Sequence, residues 1–202
     1  GTFNSRNGSS FCEDCPLGYM CNNKSMTEGE PCPKGEYGVR VNGNSSCIQC
    51  ELGTYQDTKG AVKCKLCLTG KYNDDSTNST SEKVCEYCSA GTYASSSGST
   101  KCIDCPPGTF CNTTGQSIYH FCEAGTYTKH SKSKNCIMCP AGSFQTEIGA
   151  AFCHNCPIGT YNAYPGLATN ESMTCKDCPA GKFGSKTGLS DCSNCPTGQY
   201  QD

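Results

Sequence analysis

Cysteine is the residue type in this sequence with the most chemistry to offer. The chain has 22 cysteines, and 18 of them form nine Cys-x-x-Cys pairs. The pairs stand at 12/15, 47/50, 64/67, 85/88, 102/105, 136/139, 153/156, 175/178 and 192/195. Thiolates at this spacing bind zinc, catalyse thiol–disulfide exchange or form structural disulfide bonds. The residues around the pairs decide among these three.

The setting of the pairs favours structural disulfide bonds. A zinc site would need four ligands from two pairs, but the loops between pairs are rich in Ser, Thr and Asn and carry a Gly-x-aromatic motif. A thioredoxin-type pair begins a helix within a βαβ pattern, whereas nine equivalent pairs here lie in loop-like sequence. We therefore expect no metal and no cofactor, and an oxidising location outside the cytosol, extracellular or at the cell surface.

The other polar residues do not suggest a catalytic site. His120, His130 and His154 occur at different places in their segments, beside no recurring acid or hydroxyl nucleophile. Asp74–Asp75 is an acidic doublet without the spaced oxygen ligands of a calcium loop, and we interpret it as a polar turn. The sequence therefore predicts a protein that is not an enzyme.

A glycine-based repeat positions the cysteines. Each repeat has a glycine followed two residues later by an aromatic residue, or once by methionine, and after the first repeat a cysteine stands three residues before the glycine. Most steps are 17 residues long. The repeats begin at Gly1, Gly18, Gly35, Gly53, Gly70, Gly91, Gly108, Gly125, Gly142, Gly159, Gly181 and Gly198. Residues 1–202 thus form a tandem array of about twelve repeats, each of which needs its neighbours to bury a face.

Composition indicates that cross-links replace an apolar core. Only 35% of the residues are hydrophobic, a figure that includes the cysteines, and there is no tryptophan. The segments between cysteines are rich in turn formers and have no 3.6-residue apolar period. The predicted fold class is small and disulfide-rich: an elongated tandem array of short irregular β-hairpin units with almost no helix. The repeat glycine should have a positive φ angle or permit close backbone approach.

Two repeats carry a displaced cysteine that indicates how the cysteines pair. In the Gly18 and Gly108 repeats, Gly29 and Tyr119 replace the first cysteine of the expected pair, and Cys21 and Cys111 appear earlier in the same loop. The cysteine three residues before each repeat glycine should therefore pair with the first cysteine of the repeat that this glycine begins. The predicted bonds are Cys15–Cys21, Cys32–Cys47, Cys50–Cys64, Cys67–Cys85, Cys88–Cys102, Cys105–Cys111, Cys122–Cys136, Cys139–Cys153, Cys156–Cys175 and Cys178–Cys192.

This sequential scheme leaves Cys12 and Cys195 without partners. We expect their partners in a preceding and a following repeat, which makes the chain a segment of a longer polypeptide. A crossed scheme, for example Cys47–Cys64 with Cys50–Cys67, uses all 22 cysteines. Sequence alone does not fix connectivity, so both schemes stay open at this point.

Sequons supply a second signal. Asn-x-Ser/Thr occurs at Asn7, Asn23, Asn44, Asn78, Asn112 and Asn170, always between the aromatic or methionine position of one repeat and the cysteine that precedes the next repeat glycine. These positions are predicted hairpin tips, where bulky glycans fit, so we expect covalent glycans on several of them. The net charge of −2, with singly scattered charges, argues against a nucleic-acid partner. The segment has no run of about 18 apolar residues, so we expect it to make no contact with a membrane.

Two segments carry a resemblance to a known family. CELGTYQDTKGAVKCKLC at 50–67 and CPAGKFGSKTGLSDCSNC at 178–195 resemble the ephrin-receptor-like cysteine-rich repeat, whose pattern is Cys-Pro-x-Gly-Thr-Tyr, a polar turn and Cys-x-x-Cys. The repeats are also similar to the tumour-necrosis-factor-receptor and EGF-like disulfide modules. The proline is absent after Cys50, Cys67, Cys88 and Cys122. The family motif is itself structural, so no ligand-binding residue carries over.

The resemblance and the uniform repetition lead to two hypotheses. Such repeats occur in receptor ectodomains, adhesion proteins and protist surface and flagellar-hair proteins, usually as spacers. The first hypothesis is a structural extracellular glycoprotein, a rod, stalk or fibre that self-associates laterally. The alternative is a receptor or adhesion ectodomain that binds a protein ligand through an exposed patch outside the repeat phase. Its candidates are Tyr119, Phe121, Phe152 and Tyr164, which form no obvious cluster in the sequence.

Overall fold

The structure is a computed structural model that describes residues 2–23, 25–77, 79–166 and 175–198. Gly1, Asn78, Asn170 and the aromatic residue of the last repeat, Tyr200, lie outside the described residues. The chain divides into two compact units. The first consists of Gly1–Cys88 and Ala94–Ile103, and the second of Ser89–Tyr93 and Asp104–Asp202.

Short paired strands make up the regular structure. Within the described residues, each odd-numbered strand pairs with the next even-numbered strand, giving eleven two-stranded sheets, and the one helical element is the 3₁₀ turn Glu82–Val84. The strands are β1 (Thr2–Phe3), β2 (Glu13–Asp14), β3 (Tyr19–Met20), β4 (Glu30–Pro31), β5 (Glu36–Val41), β6 (Asn44–Gln49), β7 (Thr54–Tyr55), β8 (Lys65–Leu66), β9 (Lys71–Tyr72), β10 (Glu86–Tyr87), β11 (Thr92–Tyr93), β12 (Ile103–Asp104), β13 (Thr109–Phe110), β14 (His120–Phe121), β15 (Thr126–Tyr127), β16 (Ile137–Met138), β17 (Ser143–Phe144), β18 (His154–Asn155), β19 (Thr160–Tyr161), β20 (Lys176–Asp177), β21 (Lys182–Phe183) and β22 (Ser193–Asn194). This confirms the predicted disulfide-rich array of hairpins with almost no helix.

The first strand of each hairpin follows a turn built on the repeat glycine. In the Gly108 repeat, the N–H of Thr109 donates to the carbonyl of Pro106 at 3.1 Å, and Gly108 has a φ of 79°. A positive φ at the third residue is what a type II turn requires, which confirms the conformational role expected of the glycine. The Thr109 hydroxyl donates to the same carbonyl at 2.7 Å. A threonine after the glycine thus reinforces the turn.

The proline before the glycine contributes only its carbonyl to this turn. Where proline is absent, the carbonyl of the residue in its place accepts the same hydrogen bond, at 3.0 to 3.1 Å. These residues are Glu51, Leu68, Ser89 and Glu123. Any residue supplies a carbonyl, so the missing prolines leave the turn intact.

Cysteine side chains form the interior. Among the described residues, every buried hydrophobic residue is cysteine apart from Ala94. The most buried cysteines are those that precede a repeat glycine, such as Cys67 and Cys122, which are both 0% exposed. The disulfides therefore occupy the place that aliphatic side chains fill in a larger domain.

Main-chain hydrogen bonds join each hairpin to the next one along the chain. The N–H of a repeat glycine donates to the carbonyl three residues beyond the following repeat glycine, as in Gly53 to Asn73 at 2.8 Å and Gly142 to Asn162 at 2.7 Å. The residue at this position is often polar and buried, and Asn73 and Asn162 are 2% and 3% exposed. Their side-chain amides donate to the carbonyls of Thr54 and Ser143 in the preceding repeat, both at 3.0 Å.

A second set of contacts reaches the next repeat but one. Seven residues after the repeat glycine, the loop often has a second residue with positive φ, such as Gly60, Gly98 or Lys132. The N–H of Gly98 donates to the carbonyl of Cys67 at 2.8 Å, two repeats earlier, and the N–H of Gly149 donates to Cys122 at 2.7 Å. The sequence predicts contact between adjacent repeats, and the structure extends it to second neighbours.

Candidate functional site

The disulfide framework is the site to which most predicted residues belong. The structure joins ten pairs, and they are those of the sequential scheme: Cys15–Cys21, Cys32–Cys47, Cys50–Cys64, Cys67–Cys85, Cys88–Cys102, Cys105–Cys111, Cys122–Cys136, Cys139–Cys153, Cys156–Cys175 and Cys178–Cys192. Their Cα atoms are 5.6 to 6.3 Å apart, within the usual range for disulfides. Cys12 is exposed and Cys195 half-buried, and both are free.

Steric crowding explains one of the two displaced cysteines. Gly29 stands where the sequence analysis expects a cysteine, and a Cβ on Gly29 would lie 3.0 Å from Cβ of Tyr19 and 3.3 Å from Sγ of Cys21. A cysteine side chain at this position would overlap the Cys15–Cys21 bridge. The short Cys15–Cys21 bridge therefore favours glycine, which has no side chain, at position 29.

In the other such repeat, an aromatic ring replaces the displaced cysteine. The Tyr119 ring packs edge-on against Tyr93 at 5.3 Å and against Phe121 at 5.5 Å between centroids. Two of the four out-of-phase aromatic residues thus contact each other, together with one in-phase residue. Phe152 lies elsewhere, against His154 at 5.2 Å, and Tyr164 is 65% exposed.

The three histidines have separate surroundings. His120 lies 5.6 Å from the Phe110 ring on the paired strand, and His154 lies 5.8 Å from Phe144 in the same way. The carbonyl of His130 accepts a hydrogen bond from the Ser133 hydroxyl at 2.7 Å. Within the described ranges, no group of three or more His, Cys, Asp or Glu residues is arranged to hold a metal ion.

Two lysines of the first compact unit are each held by a carboxylate and an aromatic ring. Lys71 Nζ is 2.9 Å from Glu82 Oε1 and 4.6 Å from the centroid of the Tyr87 ring, and the hydrogen bond to Glu82 raises the Lys71 pKa. Lys65 Nζ is 2.6 Å from Asp57 Oδ1, and this bond raises the pKa of Lys65 and lowers that of Asp57. The Lys65–Asp57 pair is solvent-exposed, where such ion pairs contribute little to stability, whereas the Lys71 side chain is only 14% exposed.

Carboxylates also fix the local structure of the Gly70 repeat. Asp75 Oδ1 accepts hydrogen bonds from the N–H and the hydroxyl of Thr77 at 2.7 and 2.6 Å, which lower the Asp75 pKa. This is the Asx turn that a polar-turn interpretation of the Asp74–Asp75 doublet implies. The Tyr72 hydroxyl lies 3.0 Å from Glu86 Oε2, and this hydrogen bond raises the Tyr72 pKa.

The described sequon asparagines are accessible. Asn7, Asn23, Asn44 and Asn112 are all exposed. Asn44 begins β6 directly after the tight turn at Asn42–Gly43, where φ is 51° and 80°. A glycan at any of these four positions would extend into solvent.

Sequons are distributed unevenly between two kinds of loop. Six loops donate a hydrogen bond to a cysteine carbonyl two repeats earlier, from Gly60, Gly98, Lys132, Gly149, Gly166 and Gly188. Five of these loops contain no sequon. The exception is the loop of Gly166, whose sequon at Asn170 is four residues further on. Sequons thus concentrate in loops without this packing contact.

Two further positions make contacts between repeats and were not among the predicted residues. These are the buried polar residue three positions after the repeat glycine and the positive-φ residue seven positions after it. A signal for both is present, because Gln, Asn or Thr recurs at the first position and Gly at the second in the same register as the cysteines.

Comparison with protein families identifies the repeat. The family model described as tyrosine-protein kinase ephrin type A/B receptor-like matches residues 35–85, 76–122 and 125–172, more than half of the chain. No curated protein matches the chain, and within the described residues no helix is long and apolar enough to cross a membrane. These repeats, together with the many disulfides, point to an extracellular or cell-surface location. With its glycine turns, sequential disulfides and three tandem matches, the chain belongs to the ephrin-receptor-like family of cysteine-rich repeats.

Proposed function

We propose that this chain is a structural segment of an extracellular glycoprotein, forming a rod, stalk or fibre of stacked disulfide-linked repeats. The observation that carries the proposal is the recurrence of one main-chain hydrogen bond at eight successive steps, at 2.7 to 2.9 Å. The donors are Gly35, Gly53, Gly70, Gly91, Gly108, Gly125, Gly142 and Gly159. A chain in which eight successive repeats make the same contact is suited to serve as a spacer.

The contacts within each compact unit favour stiffness. Eight steps have the hydrogen bond from a repeat glycine to the next repeat, and six loops add a hydrogen bond to a cysteine two repeats earlier, as Gly149 makes to Cys122. Bending between two adjacent hairpins would strain the contact to the second neighbour. A spacer built in this way keeps its ends apart without a large apolar core.

Surface features support the glycosylated and self-associating parts of the proposal. The accessible sequon asparagines offer sites for covalent glycans. Large apolar side chains are also exposed, among them Ile137, Met138 and Ile148 at 61%, 63% and 71%. Exposed apolar side chains in such number favour lateral contact between chains.

Small-angle X-ray scattering of the secreted chain tests the rod. A rise of about 10 Å per repeat, the spacing of packed sheets, gives a length on the order of 100 Å and a radius of gyration of about 30 Å. A compact globular domain of 202 residues would have a radius of gyration of about 17 Å. The smaller value would refute the rod, and electron micrographs of native material would test the fibre.

The alternative function is a receptor or adhesion ectodomain. The contact of Tyr119 with Phe121 and Tyr93 favours it, because the side chain of Phe121 is 56% exposed and lies outside the repeat phase. Saturable binding of the purified chain to a cell surface, lost in Phe121→Ser but kept in the matched variant Phe152→Ser, would support this function. Binding that both substitutions leave unchanged would argue against it.

A further inference from the structure

An aromatic notch with an acidic edge lies between two hairpins of the second compact unit. We call it the Glu123 notch. It has a volume of about 470 Å³ and is lined by Phe110, His120, Phe121, Glu123, Thr126 and Asn135, together with Cys136. Phe110 and Phe121 come from the Gly108 repeat, and Glu123 comes from the proline position before Gly125. The notch thus combines two phenyl rings, an imidazole, a carboxylate and an amide.

The first compact unit contains the same kind of notch. Tyr37, Glu51, Thr54, Lys63 and Cys64 line a cavity of about 240 Å³. Counted from the repeat glycines, they occupy the positions of Phe110, Glu123, Thr126, Asn135 and Cys136 in the Glu123 notch. In both notches glutamate replaces the family's proline. Matching positions of the repeat therefore form both notches, and each notch has a glutamate in its wall.

Elsewhere the chain places a lysine of its own between a ring and a carboxylate. Lys71 lies 4.6 Å from the Tyr87 ring centroid and 2.9 Å from Glu82. Lys65 lies 6.0 Å from the Tyr55 ring centroid and bonds Asp57. The smaller notch is also lined by Lys63, together with Tyr37 and Glu51, but no ion pair of the described residues includes Lys63. Two lysines of this protein thus lie beside both a ring and a carboxylate.

The Glu123 notch has the ring and the carboxylate without a lysine in its wall. Asn135 stands where the smaller notch has Lys63, and no ion pair of the described residues includes Glu123. The Phe110 ring contacts His120 at 5.6 Å, and the Phe121 ring contacts Tyr119 at 5.5 Å and borders Gly149, but Phe121 is still 56% exposed. A ligand from solution can therefore reach the exposed carboxylate and the exposed part of the Phe121 ring.

We propose that the Glu123 notch binds the side-chain cation of a lysine or arginine from a partner protein. The ammonium or guanidinium group would lie over the Phe121 ring, where the π face attracts a cation. It would pair with the Glu123 carboxylate, and the Asn135 carbonyl would accept a further hydrogen bond. The proposal goes beyond the structural role and holds for a stalk with a lateral partner as well as for a receptor.

An NMR titration of the full, disulfide-bonded chain tests the notch with a defined probe. The probe is Nα-acetyl-lysine methylamide, and its Nε-acetylated form is the uncharged control. We expect saturable shifts of the Phe110 and Phe121 ring signals with the charged probe at millimolar concentration, and no saturable shift with the control. Equal shifts with both probes would overturn the proposal.

Two substitutions locate the binding. Glu123→Gln should weaken the charged probe about threefold to tenfold, and it keeps the main-chain carbonyl that accepts the hydrogen bonds of Thr126. Glu147→Gln removes an equally exposed carboxylate outside the notch and should leave the affinity unchanged. Equal effects of these two substitutions would refute the assignment.

Asn135→Lys gives an independent test, since it recreates the lysine of the smaller notch. The added ammonium group should occupy the carboxylate and reduce probe binding by at least about threefold. If Asn135→Lys has the wild-type disulfide pairs and binds the probe as well as the wild type does, the proposal is overturned. This test does not depend on whether Glu123→Gln folds.

Discussion

Replacing Gly53 with alanine tests the contact between second-neighbour repeats. Gly53 has a φ of 77°, and a Cβ there would lie 2.1 Å from the carbonyl oxygen of Gly98. That oxygen belongs to the main chain, and the N–H of Gly98 donates to Cys67 at 2.8 Å. Alanine at position 53 therefore creates an overlap that no side-chain rotation relieves, and the loop of the Gly91 repeat must move.

Gly43→Ala is the matched control. Gly43 has a φ of 80° in the turn between β5 and β6, and an added Cβ would meet no atom within 4 Å. The left-handed conformation costs alanine about 1–2 kcal/mol at either position. At Gly53 the overlap adds about 1–3 kcal/mol, and loss of the Gly98 hydrogen bond adds about 1 kcal/mol. Gly53→Ala should thus be about 2–4 kcal/mol more destabilising than Gly43→Ala.

Native-state amide exchange measures this difference at one site. The protection factor of the Gly98 amide should fall by at least about 30-fold more in Gly53→Ala than in Gly43→Ala, because each 1.4 kcal/mol is a factor of about ten. Peptide mapping of both variants should first return the wild-type disulfide pairs. Equal protection of the Gly98 amide in the two variants would refute the second-neighbour contact.

Three further predictions concern the stacking, the surface ion pairs and the disulfides. Asn73→Ala removes hydrogen bonds to the preceding repeat and to its own loop, so chemical denaturation should show the free energy of unfolding reduced by about 1–3 kcal/mol. An unchanged free energy of unfolding would contradict the structure. The Lys65 bond lowers the pKa of Asp57, so this contact favours the fold above the ordinary carboxyl pKa and is lost as pH falls through the lowered one; an NMR titration should give Asp57 a lower midpoint in the wild type than in Lys65→Met. Tryptic mapping should find no peptide in which Cys47 is joined to Cys64, since such a peptide would establish the crossed scheme.

The parts of the fold that are predictable from the sequence are those encoded within one repeat. The glycine turn is local, because a positive φ at Gly108 and a carbonyl two residues earlier suffice to form it. The displaced Cys21 and Cys111 indicate a pairing within the repeat for the same reason, since each moved without leaving its loop. The six-residue strands β5 and β6 also had a local signal, the Asn42–Gly43 dipeptide of a type I′ turn, which the general hairpin expectation did not use.

The contacts between repeats are harder to predict because their partners are distant in the sequence. The hydrogen bond from Gly98 to Cys67 spans a whole intervening repeat, and no local pattern indicates which carbonyl accepts it. Lys132, Ser25 and Asn42 obscure the pattern further, because they take φ values of 65°, 65° and 51° where most other repeats have glycine. The Glu123 notch is similar, since its rings and its carboxylate come from successive repeats whose separation in space depends on the stacking.

The separation of sequons from packing loops follows from this stacking. In the Gly53, Gly91, Gly125, Gly142 and Gly181 repeats, the loop tip lies against an earlier repeat, and an oligosaccharide there would displace the carbonyl contact that holds the step. The exposed asparagines Asn7, Asn23, Asn44 and Asn112 stand in loops that, within the described residues, donate no hydrogen bond to a cysteine carbonyl two repeats earlier. Within each compact unit, the chain thus combines main-chain hydrogen bonds between repeats with exposed sequon asparagines.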